Sequence, residues 1–104
     1  MDNAQVNELV DTIKKRFNHN SAKKILKEKY ESKMLFAESG GMWKASPELI
    51  VLLSSMDDDN IVLIDTYENP CYVNRQELLT KAKQCFQEQT NAWFAEYQEL
   101  NNER

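Results

Sequence analysis

The stretch KMLFAESGGMWKASPELIVLL, residues 33–53, decides how this chain folds. It holds both glycines of the sequence, Gly40 and Gly41, beside Trp43. Upstream, Ala22, Ile25, Leu26, Tyr30, Met34 and Ala37 fall at helical spacing, so the stripe runs into this stretch. On that pattern we read a helix over about 21–39, stopped by the glycines, which take the left-handed conformation a helix C-terminus needs. The competing reading makes KMLFA a strand joined to MWKA by a Gly-Gly turn. Downstream, Ser46-Pro47-Glu48 opens a helix over about 47–55. Serine caps, proline suits the first helical position, and glutamate complements the helix dipole. That helix is apolar on nearly all sides and is expected to be buried.

Working outward, Val6, Leu9, Val10, Ile13 and Phe17 form one stripe per turn and predict a helix over about 3–17. FNHNS interrupts the stripe. Asn20 or Ser21 caps a new helix there, or the helix runs through with a kink. On the other side, IVLIDTY reads as a strand, ENP as a turn and CYV as a returning strand, giving a hairpin at about 60–73. Asn74 then caps a helix over about 75–101. Glu77 completes a capping box, and Val73 and Leu78 stand at the staple positions. Leu79, Phe86, Trp93 and Leu100 recur every seven residues, with Ala82 and Gln89 between them. This is an apolar seam that pairs with the N-terminal helices or with another chain. The expected fold is therefore mostly α within the α+β class. It is one domain over 1–104, a helical hairpin or bundle with a long C-terminal helix and one small β-hairpin.

Composition narrows the function classes. No run approaches the ~18 apolar residues of a membrane span, and the start lacks a signal-peptide pattern, so a cytoplasmic protein without a membrane partner is expected. Cys71 and Cys85 lack Cys-x-x-Cys spacing and suit reduced thiols. Residues 12–33 carry a net charge of +6 against -10 for the remainder. Either the basic helix faces the acidic one inside the fold, or it contacts nucleic acid.

Reactive chemistry finds little footing. Gly40, Gly41 and Lys44 do not fit a phosphate-loop spacing. Asp57 and Glu68 stand first and twelfth, as in a calcium loop, but the sixth position is Val62 where glycine is required. His19 is the single histidine, too few ligands for a metal site of that kind. No serine lies in a nucleophile elbow, and no carboxylate pair sits in an obviously apolar setting. A chain without catalytic residues, cofactor or metal is expected.

At GGMWKASPELIVLL, IDTYENPCYVNRQELL, QEQTNAWFAEYQEL and HNSAKKILKEKYESKMLFAESGGMW the chain resembles small uncharacterised proteins of T-even-type tailed phages, notably those of marine cyanobacteria. The resemblance implies a phage-encoded protein made in the host cytoplasm, and it carries over no catalytic residue. The leading expectation is a small interaction or assembly protein that binds another protein or itself. Its candidate contact residues are Trp43, Leu79, Phe86, Trp93, Tyr97 and Leu100, with Trp43 and Tyr97 as exposed anchors. The alternatives are a nucleic-acid-associated regulator using Lys14, Lys15, Arg16, Lys23, Lys24 and Lys27, and an acidic mimic that blocks a nucleic-acid-binding partner.

Overall fold

A computed structural model describes residues 3–102. In chain order it contains α1 (Asn3–Lys33), β1 (Leu35–Glu38), β2 (Gly41–Lys44), α2 (Pro47–Ser55), β3 (Asn60–Ile64), β4 (Pro70–Asn74) and α3 (Arg75–Asn102). The mostly helical α+β class, the long C-terminal helix and the hairpin after residue 60 are as expected. Two stretches differ.

The first is the segment quoted above. Met34–Glu38 leaves the helix, and β1 pairs antiparallel with β2, Phe36 opposite Trp43 and Glu38 opposite Gly41. The connection is Ser39-Gly40, with φ of 52° and 77°. Positive φ at both central residues is the primed hairpin turn whose twist matches that of the strands. Gly40 thus serves a hairpin and not a helix C-terminus. Gly41 serves close approach: a Cβ there would stand 2.9 Å from the Cys71 sulfur and 3.0 Å from the Trp43 ring. The Met34 carbonyl accepts from Ala45 N–H at 2.8 Å, which extends the pairing beyond β1. A second hairpin therefore stands where sequence reading placed the end of a helix.

The second is α1. It runs unbroken through FNHNS, so neither Asn20 nor Ser21 starts a new helix. At 1.5 Å per residue its 31 residues span about 46 Å. It lies antiparallel to α3. Cys85 stands beside the carbonyls of Lys33 and Met34, Tyr30 stacks on Trp93, and Ala22 and Leu100 line one groove near the tip of α3. α1 continues beyond the last described residue of α3, and every residue from 3 to 18 is exposed. The molecule is accordingly 70 Å long but only 25 by 20 Å across.

The core lies at the other end. Trp43, Leu53, Cys71, Val73, Leu78 and Leu79 form it, with Phe36, Leu49, Ile50, Ile61 and Leu63 packed around them. Local chemistry brings the pieces in at fixed angles. Leu49 N–H donates to the Ser46 hydroxyl at 3.2 Å, and Pro47 opens α2. Glu77 N–H donates to Asn74 Oδ1 at 3.0 Å, and the staple pair Val73 and Leu78 is 1% and 0% exposed. The expectation of an all-round buried α2 fails, because only its Leu53 edge meets the core. Val51 is 66% and Leu52 43% exposed.

Asp65 joins the two hairpins. Its Oδ2 accepts from Met42 N–H on β2 at 3.0 Å. Its Oδ1 accepts from Tyr67 N–H and Asn69 N–H, closing its own loop. Thr66 returns the contact by donating its N–H and its hydroxyl to the Met42 carbonyl, each at 2.9 Å. The bonds from Met42, Asn69 and Tyr67 hold the Asp65 carboxyl below the usual aspartate range, against the opposing effect of burial. A depressed carboxyl stabilises the fold fully above its unfolded pKa of ~3.9, and this contribution disappears as pH falls through the lower folded value. Urea midpoints measured from pH 6 down to about pH 2 should therefore drop steeply below pH 4 for the native chain. The same curve should be lower and flatter for Asp65→Asn. Parallel curves would show that Asp65 does not carry this acid limb.

Candidate protein-interaction surface

Each residue expected to meet a partner has a definite place. Trp43 is 3% exposed; its ring fills the core and its Nε1–H donates to the Glu38 carbonyl at 2.9 Å. It is not an exposed anchor. Leu79, at 6% exposed, and Ala82, at 0%, are likewise interior. Phe86, Trp93, Tyr97 and Leu100 are half-buried along α3. Trp93 lies parallel to Tyr30 of α1, their ring centroids 6.2 Å apart. The heptad seam is thus turned toward α1 and the hairpins of its own chain. What α3 shows to solvent instead is Phe94, 59% exposed.

Charge partly follows the intramolecular reading. Glu96 of α3 accepts from Lys29 Nζ at 2.7 Å and from the Tyr30 hydroxyl at 2.5 Å. These bonds hold the Glu96 carboxyl below its ordinary range and raise the Lys29 ammonium and the Tyr30 phenol above theirs. Lys81 of α3 pairs with Glu38 of β1. The six bases named for nucleic acid behave differently. Lys14, Lys15, Arg16, Lys23, Lys24 and Lys27 are all exposed, and Lys27 lies 3.8 Å from Glu31 one turn on. Consecutive positions diverge by about 100° around a helix, so Lys14, Lys15 and Arg16 fan around α1 and do not line one face.

The apolar surface that remains uncovered is on α1. Val6, Leu9, Val10, Ile13 and Phe17 are 42%, 52%, 42%, 57% and 70% exposed. The residues by which α1 holds α3 are Ala22, Leu26 and Tyr30. At about 100° per residue the two sets lie roughly 150° apart on the same helix. The apolar stripe changes sides near Asn18–Asn20. On the α3 side, the extension of α1 is polar: Thr12, Lys15, Arg16 and His19 line an open groove at the tip of α3. The first stripe therefore faces away from α3 and cannot be covered by it.

A second, smaller apolar area lies at the core end. Val62 and Tyr72 are cross-strand partners on the outer face of β3 and β4, 62% and 70% exposed, with Ile64 next to them. Beside it a shallow cleft of about 190 Å³ runs between α2 and β3, floored by Trp43 and Leu63.

Sequence reading did not single out Arg75, which fastens the turn after α2. Its Nη1–H donates to the Leu53 carbonyl, its Nε–H to the Asp58 carbonyl, and its N–H to the Asp59 carbonyl. The contact is between a side chain and distant backbone, so no sequence spacing announces it. The acidic run Asp57–Asp59 is exposed, and among the described residues no group of three His, Cys, Asp or Glu side chains could hold a metal ion. Nor is any helix long and apolar enough to cross a membrane, among the described residues. No family model, curated protein or solved structure matches this chain.

Proposed function

We propose that this chain is a non-enzymatic protein-interaction or assembly protein that works through a helical surface, and that the surface is the N-terminal half of α1. One observation carries this reading. A helix continues more than four turns past the body and presents five regularly spaced apolar side chains to solvent. An isolated helix of that length is marginal in water, and most helices in proteins are stabilised by packing of their apolar face. A contiguous exposed apolar stripe is the usual mark of a docking face. Set against the phage resemblance, the protein is a phage-encoded assembly or adaptor component acting in the host cytoplasm.

The nucleic-acid reading draws less support, because of its six bases only Arg16, Lys23 and Lys27 share one face of α1, while Lys14, Lys15 and Lys24 point elsewhere.

Ile13→Glu tests the proposal. Ile13 is exposed and remote from the core, so the variant should unfold within about 0.5 kcal/mol of the native chain. Complexes trapped by chemical cross-linking in the producing cell should be lost in the variant. Undiminished complexes in a folded Ile13→Glu chain would contradict the reading.

A further inference from the structure

We propose that the partner seated on this stripe is a second copy of the same chain, its α1 antiparallel to the first, with the two-fold axis passing between residues 11 and 12. The inference rests on the reading of α1 as a docking face and names its occupant.

The spacing is the first reason. Val6, Val10, Ile13 and Phe17 are separated by four, three and four residues. That alternation is the seam of a helix that packs against another helix. It is also palindromic. A reversed copy sets Val6 opposite Phe17 and Val10 opposite Ile13, so every layer joins a smaller side chain to a larger one. Leu9 flanks the seam and widens it. A parallel copy would stack Phe17 on Phe17 and Val6 on Val6.

Charge gives the second reason. Lys14, Lys15 and Arg16 lie in the later half of the overhang, and residues 3–10 contain Glu8 and no base. A parallel copy would set the three bases beside their own counterparts. An antiparallel copy separates the two sets of bases, setting each beside a half that holds none, and it also opposes the two helix dipoles.

Access and area complete the case. The stripe lies roughly 150° from the α3-binding face, so the two bodies stand at opposite ends of the joint and do not collide. From the exposures of its five side chains, each copy offers on the order of 500 Å² of apolar surface. With the flanking polar stems, the pair reaches the lower range of a specific interface, ~1,200 Å² in total. An interface at the lower end of that range suits a reversible dimer.

Sedimentation equilibrium on the full chain, from about 1 to 500 µM, tests this. The native chain should pass from monomer to dimer over that range. Ile13→Glu should weaken the dimer by at least about 30-fold while circular dichroism shows its helices retained. A chain carrying Val6→Cys and Phe17→Cys should, on oxidation, give peptides linking position 6 of one copy to position 17 of the other. A strict monomer throughout the range would overturn the proposal, as would a dimer indifferent to Ile13→Glu or one linked 6 to 6 and 17 to 17. The two readings fail separately. A strict monomer whose cellular cross-links vanish with Ile13→Glu refutes the second copy and leaves the docking face standing. A folded Ile13→Glu chain that keeps every complex refutes both.

Discussion

Trp43→Ala is expected to lower the free energy of unfolding by about 3–5 kcal/mol. The indole is 3% exposed and stands opposite Phe36 in the first hairpin. Its ring lies against Gly41, whose missing side chain leaves it room. Truncation removes this packing and leaves a cavity that two short hairpins and a nine-residue helix cannot collapse to fill. It also takes the Nε1–H donor from the Glu38 carbonyl. Domains of this size are stable by only ~5–15 kcal/mol in total, so the loss would bring the variant near its unfolding threshold. Urea titration followed by circular dichroism measures it. A change under about 1 kcal/mol would mean that Trp43 belongs to a surface, as an exposed anchor would.

Leu78→Ala is expected to cost about 2–5 kcal/mol. Leu78 is 0% exposed, and with Val73 it forms the staple that sets the angle at which α3 leaves the second hairpin. The deletion therefore acts on packing and on the direction of α3 together. Phe94→Ala is the matched control. It removes a larger side chain from the same helix, but one that is 59% exposed, and it should change stability by less than about 0.5 kcal/mol. Equal effects at the two positions would contradict the placement of the core. If the native chain is self-associated at the working concentration, all these midpoints shift with concentration, so each comparison belongs at one fixed value.

The capped elements were legible because their signals are local. Ser46-Pro47-Glu48 and Asn74 with Glu77 each satisfy free N–H groups within one turn, and no distant partner is needed. The second hairpin was legible from its β-branched run. The first was not. Met34 and Ala37 keep helical spacing, and a strand of four residues is too short to show alternation. The decision rests on the positive φ of Ser39 and Gly40 and on Trp43 seeking the core, which is tertiary information.

FNHNS misled for a different reason. Asn20 and Ser21 lower helix propensity by only ~0.5 kcal/mol each, less than breaking the backbone ladder would cost. The gap in the stripe instead records its change of side, from the solvent-facing residues 6–17 to the α3-facing residues 22–30. The seam of α3 was visible as a seam, but spacing does not say which helix fills it. Tyr30 of the same chain stacks on Trp93 of the seam, with Lys29 bonded to Glu96 beside it, and the uncovered apolar stripe is the one at residues 6–17.

Amide hydrogen exchange across α1 tests the central claim most directly, as a function of protein concentration. If residues 5–18 are a docking face covered by a second copy, their amides should exchange nearly freely at nanomolar concentration and gain protection by about 10-fold or more toward millimolar. Residues 22–33 and both hairpins should stay unchanged. Rapid exchange of 5–18 at every concentration, or strong protection that is already complete at the lowest one, would contradict it.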